Sequence, residues 1–428
     1  MRNSNRLWRL LALLMAFSLV AAACGDDDDS DDSSDTTAPA DGGDASGDGG
    51  ILTIGTLLPE TGQLAFLGPP MISGVEMAVR DINEAGGVLD GDVVLVTGDD
   101  GTDPDIANTT VDRLLGDESV NAIVGAAASG ITRQVVDKIT GAGVVQCSPS
   151  NTAADLTNAG NDGFYFRTAP SDDLQGPALA EYILGDGHTN VAVLVRADEY
   201  GVGFGESLVE ALEDGGATVV YNESYDPAAT NFDAEVQAVA ATSPDAVALI
   251  SFEEGVQVIQ TMIEAGAGPS VLPLYIADGL ATGDLGELID ESDPSAAAGI
   301  KGTQPSAAPE SGAAFFPDAF AEFAPDTDVI YSSQAYDCAI VIALAAEQAG
   351  SADPAEIRDN MESVSKDGTA CSTFAECKEL LEAGEDIDYE GASGPIDFDG
   401  SDPSIGSYDL YEYLEDGSQS VVRQVVAE

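Results

Sequence analysis

The sequence predicts an α/β protein made of two doubly wound parallel-sheet lobes. From Ile51 onward, short apolar runs alternate with segments of helical period, which is typical of parallel strands joined by crossover helices. This alternation ends near Arg167 and starts again near Ser171, so two units share one design. Residues 301–428 are too short and irregular for a third unit, and we expect them to complete the first two. The chain must then cross between the lobes more than once, which predicts a hinge and a cleft that closes.

The first unit is predicted from four apolar runs with helical segments between them. Asp103 followed by Pro104 is typical of a helix start, and the pair Gly86-Gly87 is typical of a helix end. In chain order the strands are ILTIGTLL, DVVLVTGDD, NAIVGAAAS and VVQCSPS, and the helices are MISGVEMAVRDINEAGG, DPDIANTTVDRLLGD and ITRQVVDKITGAG.

The second unit repeats this order, and the last part of the chain adds a long apolar helix and a strand-like tail. The strands of the second unit are NVAVLVRA, ATVVYNESY, DAVALISF and LPLYIADG, and its helices are GFGESLVEALEDGG, FDAEVQAVAATS and EEGVQVIQTMIEAG. The long helix is SSQAYDCAIVIALAAEQAG, and the tail contains GPIDFDG and YDLYEYL. We therefore assign residues 51–169 and 301–394 to lobe 1, and residues 170–300 and 395–428 to lobe 2.

The start of the chain predicts export. Three Arg and the apolar run Leu10–Val20, which is too short to span a bilayer, are typical of a signal peptide over residues 1–23. The following AAACG is similar to a bacterial lipobox, with Ala21 where Leu is usual. It implies a lipid on Cys24 that anchors the protein to the outer face of the bacterial cell membrane; an ordinary secretory signal is the alternative. Residues 24–50 contain ten Asp and no large apolar side chain, which predicts a disordered tether.

The charge balance and the motifs exclude several classes of function. Seventy-seven Asp and Glu against 14 Lys and Arg give a net charge of −63, which repels nucleic acid and counts against DNA or RNA as a partner. His188 is the only histidine, and its Gly-Asp-Gly-His turn favours a surface position over a zinc site or a Ser-His-Asp triad. The stretch Gly201–Gly205 lacks the spacing of a phosphate-binding loop, and residues 98–105 lack that of a calcium loop. We predict no enzyme, no cofactor and no metal site.

Export makes the remaining cysteines candidates for disulfides. Cys371 and Cys377 enclose a short loop, which predicts a local pair. Cys147 and Cys338 are far apart in the sequence, and each lies in an apolar stretch. A bridge between them is expected if both belong to lobe 1, and two buried free thiols are the alternative.

Several short stretches, taken in order, resemble a known family. They are LTIGTLLPETGQLAFLG, GVEMAVRDINEAGGV, LVTGDDGTDP, AIVGAAASG, SPSNT and FRTAPSDDLQG. The family is that of the branched-chain amino-acid (Leu/Ile/Val) binding proteins of ABC importers, and the resemblance is weakest over residues 310–395. It implies the type I periplasmic-binding fold, with two lobes joined by a multi-crossover hinge. It also implies an extracytoplasmic, monomeric binding protein whose partners are a small-molecule ligand and a membrane permease.

The resemblance implies where the ligand carboxylate binds. Ser129, followed by Gly130 at the start of a helix, matches the family's carboxylate-binding Ser. Free backbone N–H groups at a helix start favour an anion. The turn Ser150, Asn151 and Thr152 matches a family turn that uses a main-chain carbonyl and a Thr for the ligand ammonium and carboxylate. The alternative is that Ser129 and Thr152 are helix caps.

The remaining site residues come from both lobes. Asp278 matches the acid that pairs the ligand ammonium, one methylene shorter than the usual Glu, and Tyr200 matches a second-lobe aromatic. Leu67, with Phe66 beside it, replaces a family aromatic, and Phe252 replaces a Tyr, so we expect a different side-chain pocket from that of the leucine-binding members.

These residues together predict a zwitterionic amino acid as the ligand. The alternatives are that Asp278 is a turn residue and that Tyr200 and the two phenylalanines only pack. A small amide, urea or another small polar solute remains an alternative ligand. A ligand-sensing surface domain remains an alternative function.

Overall fold

The apolar runs of the first unit form a parallel sheet in the computed structural model, which describes residues 50–160 and 162–427. Its strands are β1 (Thr53–Leu57), β2 (Val94–Val96), β3 (Ala122–Gly125), β4 (Val145–Ser148) and β5 (Tyr165–Arg167), with helices α1 (Gly68–Glu84), α2 (Pro104–Gly116) and α3 (Ser129–Gly141) between them. The strands pair in the order β2-β1-β3-β4-β5, every neighbour parallel. Asp103 begins α2 as predicted, because its side chain accepts from the N–H groups of Asp105 and Ile106. The predicted signal peptide, Cys24 and the tether lie outside the described residues.

The second unit also folds as alternating strands and helices. Its strands are β6 (Asn190–Arg196), β7 (Thr218–Tyr225), β8 (Ala246–Ile250), β9 (Leu274–Ile276) and β10 (Lys301–Pro305). Its helices are α4 (Asp172–Gly185), α5 (Glu199–Asp214), α6 (Asp233–Ala241), α7 (Gly255–Glu264) and α8 (Leu285–Ile289). Short 3₁₀ helices occur at Ala65–Leu67, Ala154–Leu156, Asp278–Leu280 and Pro294–Ala297.

The last part of the chain adds helices to the first unit, two strands to the second sheet, and two small sheets of its own. Its helices are α9 (Phe316–Phe323), α10 (Ser332–Ala349), α11 (Pro354–Met361) and α12 (Phe374–Glu382). Its strands are β11 (Thr369–Cys371), β12 (Ile387–Gly391), β13 (Gly394–Pro395), β14 (Phe398–Asp399), β15 (Asp402–Pro403), β16 (Gly406–Tyr413) and β17 (Gln419–Ala427). The long helix α10 packs against α1, whereas β16 and β17 join the second sheet as antiparallel strands. The order of that sheet is β17-β16-β10-β9-β8-β6-β7.

Within the described residues the chain passes between the two sheets after β5, after β10 and after β15. We call the five-stranded sheet with α1–α3 and α9–α12 lobe 1, and the seven-stranded sheet with α4–α8 lobe 2. The chain therefore crosses more than once, and the predicted type I fold with its multi-crossover connection is confirmed.

Two of the predicted lobe boundaries are wrong. Lys301–Pro305 is strand β10 of the second sheet, not the start of the return to lobe 1. Its sequence KGTQP lacks the apolar run by which the other strands were recognised, although four of its five residues are buried. At the other end, Pro395 pairs with Glu390, and Asp402 forms an ion pair with Arg167 of β5. The segment 395–403 therefore remains with lobe 1.

Two disulfides stabilise lobe 1. Cys147 of β4 is bonded to Cys338 of α10, and Cys371 is bonded to Cys377. Both predicted pairs are confirmed, and the alternative of buried free thiols is wrong. The first bridge joins the sheet to a helix that is buried from Ser332 to Ala346.

Candidate functional site

A narrow cavity with a free volume of about 10 Å³, room for about one water molecule, lies between the two lobes. Lobe 1 contributes residues from the loop before α1, from the β3–α3 turn and from the turn after β4; lobe 2 contributes residues that follow β6, β8 and β9. The lining residues are Leu64, Leu67, Ala127, Ala128, Ser129, Ser150, Thr152, Tyr200, Phe252, Asp278 and Gly279.

The start of α3 forms the polar end of the cavity on the lobe 1 side. Ser129 is the first helical residue and is buried, and Ala128 occupies the cap position, so the Ser129 side chain does not cap this helix. The Ser129 hydroxyl instead accepts a hydrogen bond from the backbone N–H of Ala153 at 3.3 Å, which ties α3 to the turn after β4. The first N–H groups of a helix attract negative charge, so this end suits a carboxylate.

The turn after β4 is held rigid by buried polar contacts. The Asn151 amide donates to the carbonyls of Ala126 and Ala127 at 2.9 and 2.8 Å, and accepts from the Tyr165 hydroxyl at 2.9 Å. Arg167 donates to the carbonyl of Ala153 at 2.9 Å. Asn151 is therefore a support of the turn, and its side chain is not among the described residues that line the cavity.

Asp278 forms the opposite polar end, in lobe 2. Its carboxylate accepts from Gln175 Nε2 at 2.8 Å, from the Tyr200 hydroxyl at 3.1 Å and from the Tyr331 hydroxyl at 2.8 Å. Burial raises the pKa of Asp278, and these three hydrogen bonds oppose the rise. A carboxylate has about four acceptor positions, so one position remains for a donor of the ligand. This group is suited to an ammonium.

A second buried acid, Asp172, lies near Asp278 at the crossing into lobe 2. Within the described part of the chain, neither carboxylate oxygen of Asp172 has a hydrogen-bond partner. Burial raises its pKa well above the usual range, and the negative charge of Asp278 adds to the rise. The nearby Thr152 hydroxyl lowers the pKa of Asp172 in part, but it is not placed to donate a hydrogen bond to either carboxylate oxygen. The crossing therefore carries an unsatisfied acid, which is costly in a protein interior.

The apolar wall of the cavity is an aromatic pair from lobe 2 facing leucines of lobe 1. Tyr200 and Phe252 are stacked, with ring centroids 5.3 Å apart and an interplanar angle of 19°. Leu64 and Leu67 lie on the other side. Phe66, by contrast, is half-buried and is not among the described lining residues.

The structure thus brings together most of the residues that the sequence indicated. Gly130 does not line the cavity; it faces Glu199, whose Oε2 lies 3.0 Å from where a Cβ would stand. The sequence analysis missed four lining residues that lie within two positions of predicted ones: Leu64, Ala127, Ala128 and Gly279. It also missed Gln175 and Tyr331, which reach Asp278 from distant parts of the chain and carry no local signal.

The described residues offer little for other chemistry. They contain no group of three His, Cys, Asp or Glu side chains placed to hold a metal ion. His188 is half-buried, and its ring packs edge-on against Tyr275. A wider groove along α4 and α5 is open to solvent, and seven of its fifteen lining residues are Asp or Glu. No helix among residues 50–160 and 162–427 is long and apolar enough to cross a membrane.

Comparison with known proteins gives the class of protein that this fold and cavity define. The sequence profile of the periplasmic binding protein family matches residues 51–402, so the chain belongs to that family. The chemotactic signal transduction system substrate-binding protein BasB of Halobacterium salinarum is 27% identical over 381 residues, covering 86% of this chain and 88% of BasB. The Leu/Ile/Val-binding protein BraC3 of Rhizobium johnstonii is 32% identical over 197 residues, covering 46% of this chain and 53% of BraC3.

A solved structure is similar over nearly the whole described fold. The branched-chain amino acid transporter substrate binding protein LivJ of Streptococcus pneumoniae, solved in complex with isoleucine, matches with a TM-score of 0.72 at 23% identity, covering 88% of this chain and 99% of LivJ. The predicted resemblance to the branched-chain amino-acid binding proteins is confirmed. The chain is therefore a periplasmic binding protein by family, and the relatives that match it are named as substrate-binding or amino-acid-binding proteins rather than enzymes.

Proposed function

We propose that this protein captures a small zwitterionic amino acid between its lobes and delivers it to an ABC permease in the membrane. The observation that carries the proposal is the pairing of two opposite polar ends across one small cavity. Lobe 1 contributes the start of α3, which has no side-chain cap, together with Ser129 and with Thr152 of the turn after β4. Lobe 2 contributes the carboxylate of Asp278. The first end suits a carboxylate and the second an ammonium, and an α-amino acid carries both groups on one carbon.

The lobes close over the ligand in this proposal. Closure removes both ligand charges from water, which is tolerable only if each charge is paired and hydrogen-bonded. The two polar ends supply those partners from different lobes, so the full set forms only when the lobes meet. The protein is monomeric and is held by lipid on Cys24 at the outer face of the cell membrane.

A screen of ligands tests this function. The chain from residue 25 is melted in the presence of the twenty amino acids, simple amides, urea and dipeptides. A ligand at about 100 times its Kd adds about 2.7 kcal/mol to the free energy of unfolding, which raises the melting temperature visibly. We expect a shift with amino acids of small or medium side chain. A shift with amides or urea, and with no amino acid, would show that the ligand class is wrong.

A second candidate function is ligand sensing. BasB, a relative that matches 86% of this chain, is named as a substrate-binding protein of a chemotactic signal transduction system. A sensor would bind the same ligand but pass the bound state to a membrane receptor. Uptake of the labelled ligand by cells with and without the gene separates the two functions, because transport requires loss of uptake in the deletion strain.

A further inference from the structure

A buried arginine lies behind the aromatic wall of the cavity. Arg196 ends strand β6 and is only 4% exposed in a chain with a net charge of −63. Its Nη1 donates to both carboxylate oxygens of Glu254 at 2.9 and 3.0 Å, and its Nε donates to Asp198 at 2.7 Å. The Tyr225 hydroxyl also donates to Glu254, at 2.9 Å. These contacts fix both the position and the plane of the guanidinium.

The guanidinium is stacked on the wall of the cavity. Its Cζ lies 3.5 Å from the centroid of the Phe252 ring, within the range of a cation–π contact. Phe252 is in turn stacked on Tyr200, whose hydroxyl donates to Asp278. Arg196, Phe252, Tyr200 and Asp278 thus form a continuous series of contacts from the back of the wall to the polar end of the cavity. We call these four residues the wall series.

Two glycines, which have no side chain, make room for the wall series. A Cβ at Gly201 would lie 2.2 Å from the carbonyl oxygen of Arg196. A Cβ at Gly279 would lie 2.6 Å from the carbonyl oxygen of Ser251 and 2.8 Å from Cδ1 of Phe252. Any larger residue would displace the backbone or the ring, so this close packing depends on glycine at both positions.

Both ends of the wall series contact lobe 1. At the arginine end, Nη2 of Arg196 donates to Oε1 of Gln63 at 3.3 Å, and Gln63 belongs to the loop before α1. At the other end, Asp278 accepts from Tyr331, which directly precedes α10. Each contact joins one lobe to the other and exists only when the lobes meet.

We propose that Arg196 is a positioning residue of the ligand site and that, through Gln63, it stabilises the closed arrangement of the lobes. The guanidinium holds the Phe252 ring in the plane that the ligand meets, and the same guanidinium binds lobe 1 across the cleft. Formation of the wall and closure of the lobes are therefore coupled. This proposal rests on the proposed function, because it requires lobes that open and close around a ligand.

Fluorine NMR tests the proposal. The chain 25–428, which contains the whole compact unit, carries 4-fluorophenylalanine at position 252, so that one resonance reports the ring against Arg196. Gln63→Ala removes only the contact across the cleft. We expect it to shift the ratio of closed to open lobes about threefold to tenfold toward open, the range for loss of one hydrogen bond. Arg196→Lys keeps the charge but loses the planar fork and the stacking, so it should also move the fluorine resonance of the closed form.

Arg423→Gln is the matched control, because Arg423 is a half-exposed lobe 2 arginine that pairs with Glu181 on the surface. It should leave the fluorine spectrum as in the parent. A fluorine spectrum that is the same in the parent, in Gln63→Ala and in Arg196→Lys would overturn the proposal. If Arg196→Lys does not fold, the comparison of the parent with Gln63→Ala decides.

Addition of L-alanine, L-valine and L-isoleucine to the parent chain separates this proposal from the proposed function. These amino acids should convert the spectrum to the closed form. If they do not, the ligand class is wrong, whereas the ligand-free comparison of parent and Gln63→Ala still decides the role of Arg196.

Discussion

Replacing Asp278 by Asn removes one charge from the cavity with almost no change in shape. In the parent, three of about four acceptor positions on this carboxylate are used by Gln175, Tyr200 and Tyr331, which leaves one for the ligand. A hydrogen bond to a charged group contributes about 1.5–3 kcal/mol. We therefore expect the Kd for the amino acid to rise about 10- to 150-fold in Asp278→Asn.

The same change should affect folding much less than binding. Burial raises the pKa of Asp278, so its charge costs more free energy in the folded chain than in the unfolded chain, and removal of the charge removes that cost. The Asn amide, however, places donors against the donors of its neighbours, which is destabilising. Because the two effects oppose each other, the melting temperature of the ligand-free chain at pH 7 should stay near that of the parent.

Titration calorimetry and thermal melts measure the two quantities on the same samples. Asp409→Asn is the control, since Asp409 is another buried lobe 2 acid with a raised pKa that is not among the described residues lining the cavity. It should bind as the parent does. A Kd for Asp278→Asn within twofold of the parent would refute the pairing of Asp278 with the ligand ammonium.

Two further predictions concern stability. Asp172→Asn should raise the free energy of unfolding at pH 7 because it removes a buried charge, by about 1.4 kcal/mol for each unit by which burial raises the pKa of Asp172. Because the pKa of Asp172 is raised in the folded state, its contribution to the free energy of unfolding is complete below the unfolded pKa of about 3.9 and is lost as pH rises. Thermal melts from pH 4 to 8 should therefore show the stability gain of Asp172→Asn shrinking toward pH 4. A stability gain independent of pH would contradict this. Replacing Cys147 and Cys338 by Ser should lower the free energy of unfolding in urea by about 5 kcal/mol, and replacing Cys371 and Cys377 by about 2 kcal/mol. The reason is loop entropy, because the first bridge closes 191 residues and the second closes 6. Equal losses would contradict the entropic reasoning.

Much of the fold could be predicted because buried parallel strands leave a plain signal. Strands such as Ala246–Ile250 are buried on both faces and are therefore continuous apolar runs. The bridge between Cys147 and Cys338 was expected if the fold places both in one lobe, whereas that between Cys371 and Cys377 was expected from its short loop. The strand Lys301–Pro305 gave no such signal, because its buried residues are small or polar.

The candidate site was predictable where it lies at strand ends and not where distant segments meet. Ser129, Thr152 and Asp278 each follow a strand, and the carboxyl ends of parallel strands form the ligand edge of such sheets. Tyr331 reaches Asp278 from a backbone in the left-handed region, at φ 59°, which is uncommon for a bulky residue. Neither this conformation nor the contact between Arg196 and Gln63 follows from local sequence, because both depend on how the lobes pack.

A crystal structure of the protein with the amino acid that stabilises it most in the screen tests the central claim directly. We expect one ligand in the cavity between the lobes, with its carboxylate on Ser129 and Thr152 and its ammonium on the free acceptor position of Asp278. A ligand bound elsewhere, or bound in this cavity with its carboxylate toward Asp278, would contradict the account.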